Sequence, residues 1–260
     1  MKRFFSDVKR YWGYTRYSAN SALKAEVASS YLNWLWWILD PLLYMLVYMF
    51  IAVIVFKSSE KAFPIYVFCG LTIWDFFNRN ALGSIKLVRG KAGIISKVYL
   101  PKYVLVMSRM MQNGVKMLIS LGLIVVLMPF FHLPYTWQML HAIPVFLVLF
   151  FLTFGISTIL MHFGVFVDDL YNIMQALFRL VFYMSGIFYS IKTRLPNPYN
   201  RILLKGNPIA FCMESLRQIL IYQTAPQYKY IFIWLAIGIV LSAFSVWLVY
   251  RYENSYVKVI

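Results

Sequence analysis

The sequence predicts an all-α membrane protein: six transmembrane helices, an N-terminal interfacial helix, and an outer re-entrant helical hairpin between spans five and six. Three observations carry that reading. The 260 residues are 62% hydrophobic and 13% charged, against about 25% charged and roughly 45–50% apolar residues in soluble domains. The apolar excess is divided among long runs rather than gathered in one core, the pattern of a polytopic membrane protein. Lys and Arg, which give the chain a net charge of +16, cluster between those runs. There they act as topology signals and contacts for anionic head groups, not as a nucleic-acid surface. The first two dozen residues are polar and basic, without the apolar core of a cleavable signal. No linker breaks the pattern, so residues 1–260 read as a single transmembrane domain.

Residues 1–40 form the cytoplasmic and interfacial segment. Residues 18–33 alternate polar and apolar, which predicts a helix lying along the membrane. Tyr31, Trp34, Trp36 and Trp37 follow as an aromatic belt at head-group level. The stretch YLNWLWWILDPLLYMLVYMF then places Asp-Pro inside twenty nearly unbroken apolar residues. Asp accepts hydrogen bonds from the first free N–H groups of a helix, and Pro fits a first turn. Asp40 therefore reads as a cap and Pro41 as the start of span one, 41–56. The rival role for Asp40 is an ion site inside the bilayer. Spans two to five follow at 64–83, 104–130, 142–167 and 172–191, and span six at 230–250, with the C-terminal tail behind it. The N-terminal segment holds six Lys and Arg and the loop between spans two and three holds five, while 132–141 holds none. Both termini are therefore expected in the cytoplasm.

Segment 192–229, expected outside, carries six basic residues. Within it Asn207-Pro208 reads as cap and first turn of a helix too short to cross a ~30 Å core. Glu214 and Arg217 stand at i,i+3 spacing and are expected to pair. The segment reads as a hairpin packed on protein; a crossing here would make seven spans and put the C-terminus outside.

Polar and aromatic stripes suggest where something passes. In span five Asn172, Gln175, Arg179, Tyr183, Gly186 and Ser190 recur every three or four residues, which predicts one helix face. That face meets protein or water, since a lipid-facing Arg179 is costly; Asp75 is one candidate partner. Tyr44 and Tyr48 stand at i,i+4, and Tyr66, Gly70, Trp74 and Phe77 share a face of span two. Such stripes serve packing, but Tyr and Trp also offer an apolar face with a polar handle, suited to sugars. The candidate substrate path is therefore Tyr44, Tyr48, Tyr66, Trp74, Phe77, Gln175, Arg179 and Tyr183. Asp75 and Arg79, one turn apart, can pair. Arg109 and Lys116 share a face of span three; snorkelling accounts for Arg109 but strains for Lys116, so both are candidates for a phosphate-bearing head group.

The loop 83–105 is basic, bounded by Gly residues and Pro101, and has apolar residues at helical spacing. An amphipathic segment of this kind suits a docking partner or the inner leaflet. Its candidate docking residues are Lys86, Arg89, Lys91, Ile94, Ile95, Lys97 and Val98. No motor or catalyst is visible. Gly90-Lys91 lacks the first Gly of a phosphate loop, with Ile85 in its place. Asp168-Asp169 point about 100° apart on a helix and serve better as caps of span five. Catalytic and metal-binding residues are expected to be none, and Cys69 and Cys212 read as small buried residues.

Five stretches taken in order resemble the membrane-spanning subunit of type-2 ABC exporters of lipid-linked polysaccharide, the family of O-antigen, capsule and teichoic acid exporters. They are SSYLNWLWWILDPLLYMLVY, YVFCGLTIWDFFNRNAL, AGIISKVYLPKYVLVMSRM, GVFVDDLYNIMQ and NPIAFCMESLRQIL. Asp40 stands where the family usually has Asn, and Val167 where it has Arg. The resemblance implies a permease of the bacterial plasma (inner) membrane that is not itself an enzyme. It implies a homodimer with two ABC ATPase subunits that hold MgATP, the 83–105 loop coupling the two, and no cofactor in this chain. It implies transport of an undecaprenyl-diphosphate-linked glycan through an aromatic channel. The alternatives are a membrane enzyme acting on lipid-linked sugars, which needs an Asp, Glu or His cluster, and an ion-coupled transporter, which needs repeats and midplane carboxylates.

Overall fold

The computed structural model describes residues 2–28, 31–51, 61–194, 196–253 and 255–256, and among them every regular element is a helix. In chain order these are α1 (Lys2–Val27), α2 (Trp36–Phe50), α3 (Phe63–Ile85), the one-turn α4 (Leu87–Gly90) and α5 (Ala92–Ile95), and α6 (Lys102–Leu127). Then come α7 (Ala142–Phe166), α8 (Leu170–Met184), α9 (Ile191–Arg194), α10 (Tyr199–Gly206), α11 (Pro208–Leu220) and α12 (Tyr228–Arg251).

Three of them, extended by short 3₁₀ turns where present, are long and apolar enough to cross a membrane: Lys102–Phe131, Trp137–Phe166 and Tyr228–Arg251. The other expected spans differ for separate reasons. Residues 52–56 of span one lie outside the described residues. The 23-residue α3 is long enough, but Asp75, Asn78, Arg79 and Asn80 make part of it polar; buried along most of its length, it is the central post of the bundle. With 15 residues, α8 reaches only about 22 Å at 1.5 Å per residue, short of a ~30 Å hydrocarbon core.

Packing follows side-chain size. Between α7 and α12, Gly155 and Gly238 leave so little room that a Cβ at Gly155 would lie 3.0 Å from the Ser242 backbone N, and one at Gly238 3.1 Å from Phe151. Ser242 Oγ donates to the Phe151 carbonyl at 2.8 Å across this seam. Without a hydrophobic force between helices in lipid, close backbone approach and such hydrogen bonds drive association. On the other side of α12, Phe232, Val240, Phe244 and Trp247 are exposed, as are Leu118 and Val126 of α6. An exposed apolar surface of this extent is what lipid covers.

The N-terminal region departs from expectation twice. The first helix begins at Lys2 and ends at Val27, not at 18–33. Its inward positions Phe4, Val8, Tyr11, Thr15, Ala19 and Leu23 recur in steps of three and four, with the last three buried. That period starts well before the alternation that had drawn notice, and it lays α1 against α6. Asp40 is not a cap. A 3₁₀ turn at Asn33–Leu35 runs directly into α2, whose N-cap Leu35 is already helical, so Asp40 and Pro41 fall inside the helix. Pro41 has no N–H for the Trp37 carbonyl, a local weakness in the second turn.

Candidate functional site

Polar residues of α1, α2, α3 and α6 converge. Between α2, α3 and α6 lies a cavity of about 210 Å³ lined by Tyr44, Tyr48, Trp74, Asp75 and Arg79. A smaller cleft adjoins it, bounded by Glu26, Asp40, Asp75, Arg79, Asn113 and Lys116. Helical spacing explains the convergence: Asp75 and Arg79 are one turn apart on α3 and pair at 3.5 Å, as expected. Lys116 of α6 reaches Glu26 of α1 at 2.5 Å, and Gln112 donates to the same carboxylate at 3.2 Å. Three carboxylates thus face two cations. Lys116 is held by a protein partner, and Arg109 lies over Gly83 and donates Nε to the Arg79 carbonyl at 3.2 Å. Asn113 donates to Asn80 at 2.8 Å behind them.

Of the expected path residues, the structure brings Tyr44, Tyr48 and Trp74 to one cavity. Tyr44 is 53% exposed, and its ring stacks on Tyr48 at 6.3 Å and 19°. Tyr66 and Phe77 are buried: Phe77 packs on Phe178 of α8, and Trp74 on Phe182. Gln175 is half-buried one turn from Phe178, while Arg179 and Tyr183 are exposed, the Tyr183 ring meeting Phe182 at 5.3 Å. Gly186 and Ser190 do not join them on one helix face, because α8 ends at Met184. Gly186 follows at φ +66°, the left-handed region that glycine enters without penalty.

That early ending leaves the Gly186 and Ile187 carbonyls without helical partners, and Arg217 of α11 collects them together with a carbonyl of the first turns of α3. Its Nε donates to the Tyr66 carbonyl at 3.0 Å, Nη1 to Gly186 at 2.9 Å and Nη2 to Ile187 at 3.0 Å. The guanidinium lies 3.6 Å from the Tyr66 ring centroid and the residue is 2% exposed. Gly70 makes the approach possible, since a Cβ there would sit 2.6 Å from Nη2. The expected Glu214–Arg217 pair does not form; Glu214 takes Lys192 at 2.7 Å instead. A lone Arg in an apolar helix, with a helix-breaking Gly elsewhere, was the available signal: buried guanidinium needs acceptors, and broken helices supply them. The expected cap holds, as Asn207 accepts from the Ile209 and Ala210 N–H groups.

In the loop after α3, Lys86 lies 4.1 Å over the Tyr171 ring, and Arg89 binds Asp168 at 2.5 Å and the Val165 carbonyl at 2.8 Å. Asp168 therefore serves the loop, and Asp169, at the N-cap of α8, makes no side-chain cap bond. Ile95 is buried at 6%, while Ile94 and Val98 are 42% and 59% exposed and Lys91 and Lys97 flank them. Tyr99 ties this loop to both ends of the chain. Arg3 donates to its hydroxyl at 2.6 Å and to Glu253 at 3.1 Å. Burial first, and then the Glu253 carboxylate, push the Tyr99 hydroxyl up to about 12, so it stays protonated there.

No family model matches the chain. Over 242 residues, 93% of its length and 93% of the relative's, it is 28% identical to the O-antigen export system permease protein RfbA of Myxococcus xanthus. The chain is a relative of that export permease. Two permeases of the same name from Klebsiella pneumoniae are 29% and 28% identical over 224 residues, 86% of this chain and 85% of each of theirs. The export-permease resemblance read from five stretches thus extends along the whole bundle, and with its three long apolar helices the chain is an integral protein of a bacterial membrane.

Proposed function

We propose that the chain is the membrane-spanning permease of an ATP-driven exporter that moves an undecaprenyl-diphosphate-linked polysaccharide out of the cell. It works as a homodimer with two separate ATPase subunits that hold MgATP, crosses the plasma membrane six times, the fifth time by α8 together with the non-helical residues 185–190 behind it, and keeps both termini in the cytoplasm. The observation that carries this reading is the alignment, over 93% of both chains, with an O-antigen export permease.

The geometry supports it at three levels. At the cytoplasmic end, Ile94 and Val98 stand one helical turn apart with Lys91 and Lys97 beside them, a small amphipathic patch fit for a partner's groove. Arg89 and Lys86 brace the patch against α7 and α8, so a push on the loop reaches the bundle. Within the membrane, Tyr44, Tyr48, Gln175, Arg179 and Tyr183 offer rings and polar groups where a hydrated glycan could slide, while Tyr66, Trp74 and Phe77 back them from the core. Arg109 and Lys116 lie on the inner side of this route and would meet a diphosphate only by exchanging their present partners. At the outer end, α10 and α11 form a re-entrant hairpin that Arg217 locks to α3 and to the end of α8.

Co-purification tests the reading. A nucleotide-binding subunit should come down with the wild type and be lost from Ile94→Asp/Val98→Asp. Transport by the chain alone in liposomes, or nucleotide hydrolysis without a partner, would refute it.

A further inference from the structure

Segment 192–229 holds six Lys and Arg against one acidic residue, Glu214. In the proposed orientation these cations face away from the cytoplasm, against the usual bias. Two of the six have structural work: Arg217 collects carbonyls, and Lys192 holds Glu214. Of the other four, two are accounted for by a cavity of about 600 Å³ between α10 and α11. Pockets that take small ligands run ~300–1,000 Å³.

Arg201 and Lys205 of α10 line this cavity. Lys205 is steadied 4.8 Å over the Tyr230 ring, and Arg201, four residues earlier on the helix, stands one turn away. The wall also carries four amides, Asn197, Asn200, Gln218 and Gln227, and the carboxylate of Glu214, which Lys192 holds at 2.7 Å. Amides pair donor with acceptor, the complement of a hydroxyl. A carboxylate in the wall calls for an O–H or N–H donor, which a bare phosphate or carboxylate lacks. The site therefore asks for two things in one ligand, negative charge and hydroxyl groups.

We propose that this outer cavity binds a hydroxyl-rich chain carrying phosphate or carboxylate groups, a segment of an anionic polyol or glycan. Arg201 and Lys205 take the charge, and Glu214 and the amides bond the neighbouring hydroxyls. The identity of the ligand as exported polymer rests on the function proposed above; the chemistry of the cavity does not. Anionic lipid head groups of the outer leaflet share the charge but fit the amide wall less well.

The test uses the full chain in nanodiscs of phosphatidylcholine, with no ATPase present. Probes are an oligo(glycerol phosphate), an oligogalacturonate, a neutral malto-oligosaccharide of equal length, and inorganic phosphate, read by thermophoresis. At least one anionic oligomer should bind, and the neutral one should not. Arg201→Ala/Lys205→Ala should weaken it about tenfold or more, as expected for lost bonds to charged groups, while Arg201→Lys/Lys205→Arg keeps it. Gln227→Leu should weaken the oligomer and leave inorganic phosphate unchanged. Arg201, Lys205 and Gln227 are all exposed, and unaltered melting curves confirm the fold. Equal binding of the neutral oligomer, or wild-type affinity in the double alanine variant, overturns the proposal. Displacement of the probe by phosphatidylglycerol in the discs makes the cavity a lipid site and overturns it too. Loss of ATPase co-purification with probe binding intact would remove the export reading and leave the cavity; the converse would remove the cavity alone.

Discussion

Three backbone carbonyls, of Tyr66, Gly186 and Ile187, converge on the Arg217 guanidinium. At membrane depth a carbonyl freed from a helix needs a protein donor, because lipid supplies none. Arg suits this place better than Lys, since its planar fork presents several donors at once. Arg217→Lys should therefore fail to replace it, and Arg217→Met should leave the Gly186 and Ile187 carbonyls bare, at about 1–3 kcal/mol for each buried group left unpaired, while the Tyr66 carbonyl keeps its bond within α3. Both should show lower membrane abundance and lower melting temperature in detergent. Gly70→Ala puts a methyl 2.6 Å from Nη2, an overpacking that costs about 1–3 kcal/mol. The cost should vanish in the Arg217→Met background, and a double-mutant cycle checks it; additive effects would mean that the two do not touch. The Asn207 cap was legible from sequence because capping is decided within three residues. The Arg217 partners were not, because the three acceptors come from α3 and from the turn after α8, far away in sequence, and they outcompete the local Glu214 carboxylate.

Elements show the same division between local and distant causes. Helix α1 was expected late because the alternation after Ser18 was visible, whereas the stripe from Phe4 to Leu23 gains meaning only with α6 lying against it. Asp40-Pro41 resembles a helix start in isolation, but the 3₁₀ turn over Asn33–Leu35 launches α2 earlier. The loop 83–105 holds short helical turns at the spacing its apolar residues suggested, yet two apolar neighbours in it have opposite fates: Ile95 belongs to the core and Ile94 to the surface. Their substitutions should separate. Ile94→Asp/Val98→Asp should leave abundance and melting unchanged while abolishing ATPase recovery. Ile95→Asp should unfold the loop region, since a buried unpaired carboxylate is costly, and should reduce abundance itself. Equal behaviour of the two would argue against a docking patch. On α8, Arg179 is exposed, so Arg179→Ala should lower export while the proposed dimer stays assembled; equal export at equal abundance would take Arg179 off the proposed path.

For the whole molecule the distribution of charge and apolar surface sets orientation. The exposed apolar side chains of α6 and α12 define the lipid-facing band, and α6 alone, at 26 residues, spans about 39 Å. The patch around Val98 precedes the start of α6, while α10 and α11 lie beyond the end of α8. The proposed topology puts these two regions on opposite faces of the membrane, and the basic residues of 192–229 are the one feature that argues the other way. Thiol labelling decides between them, because both native cysteines are buried and silent. Val98 and Ile202 are each exposed on the protein surface, so a cysteine at either place should be reachable without disturbing the fold. On intact cells a membrane-impermeant maleimide should modify Ile202→Cys at once and Val98→Cys only after permeabilisation. If both react from the same side, the outer hairpin is not outer. The cation cluster would then be an ordinary cytoplasmic topology signal, with no need of an anionic ligand to explain it.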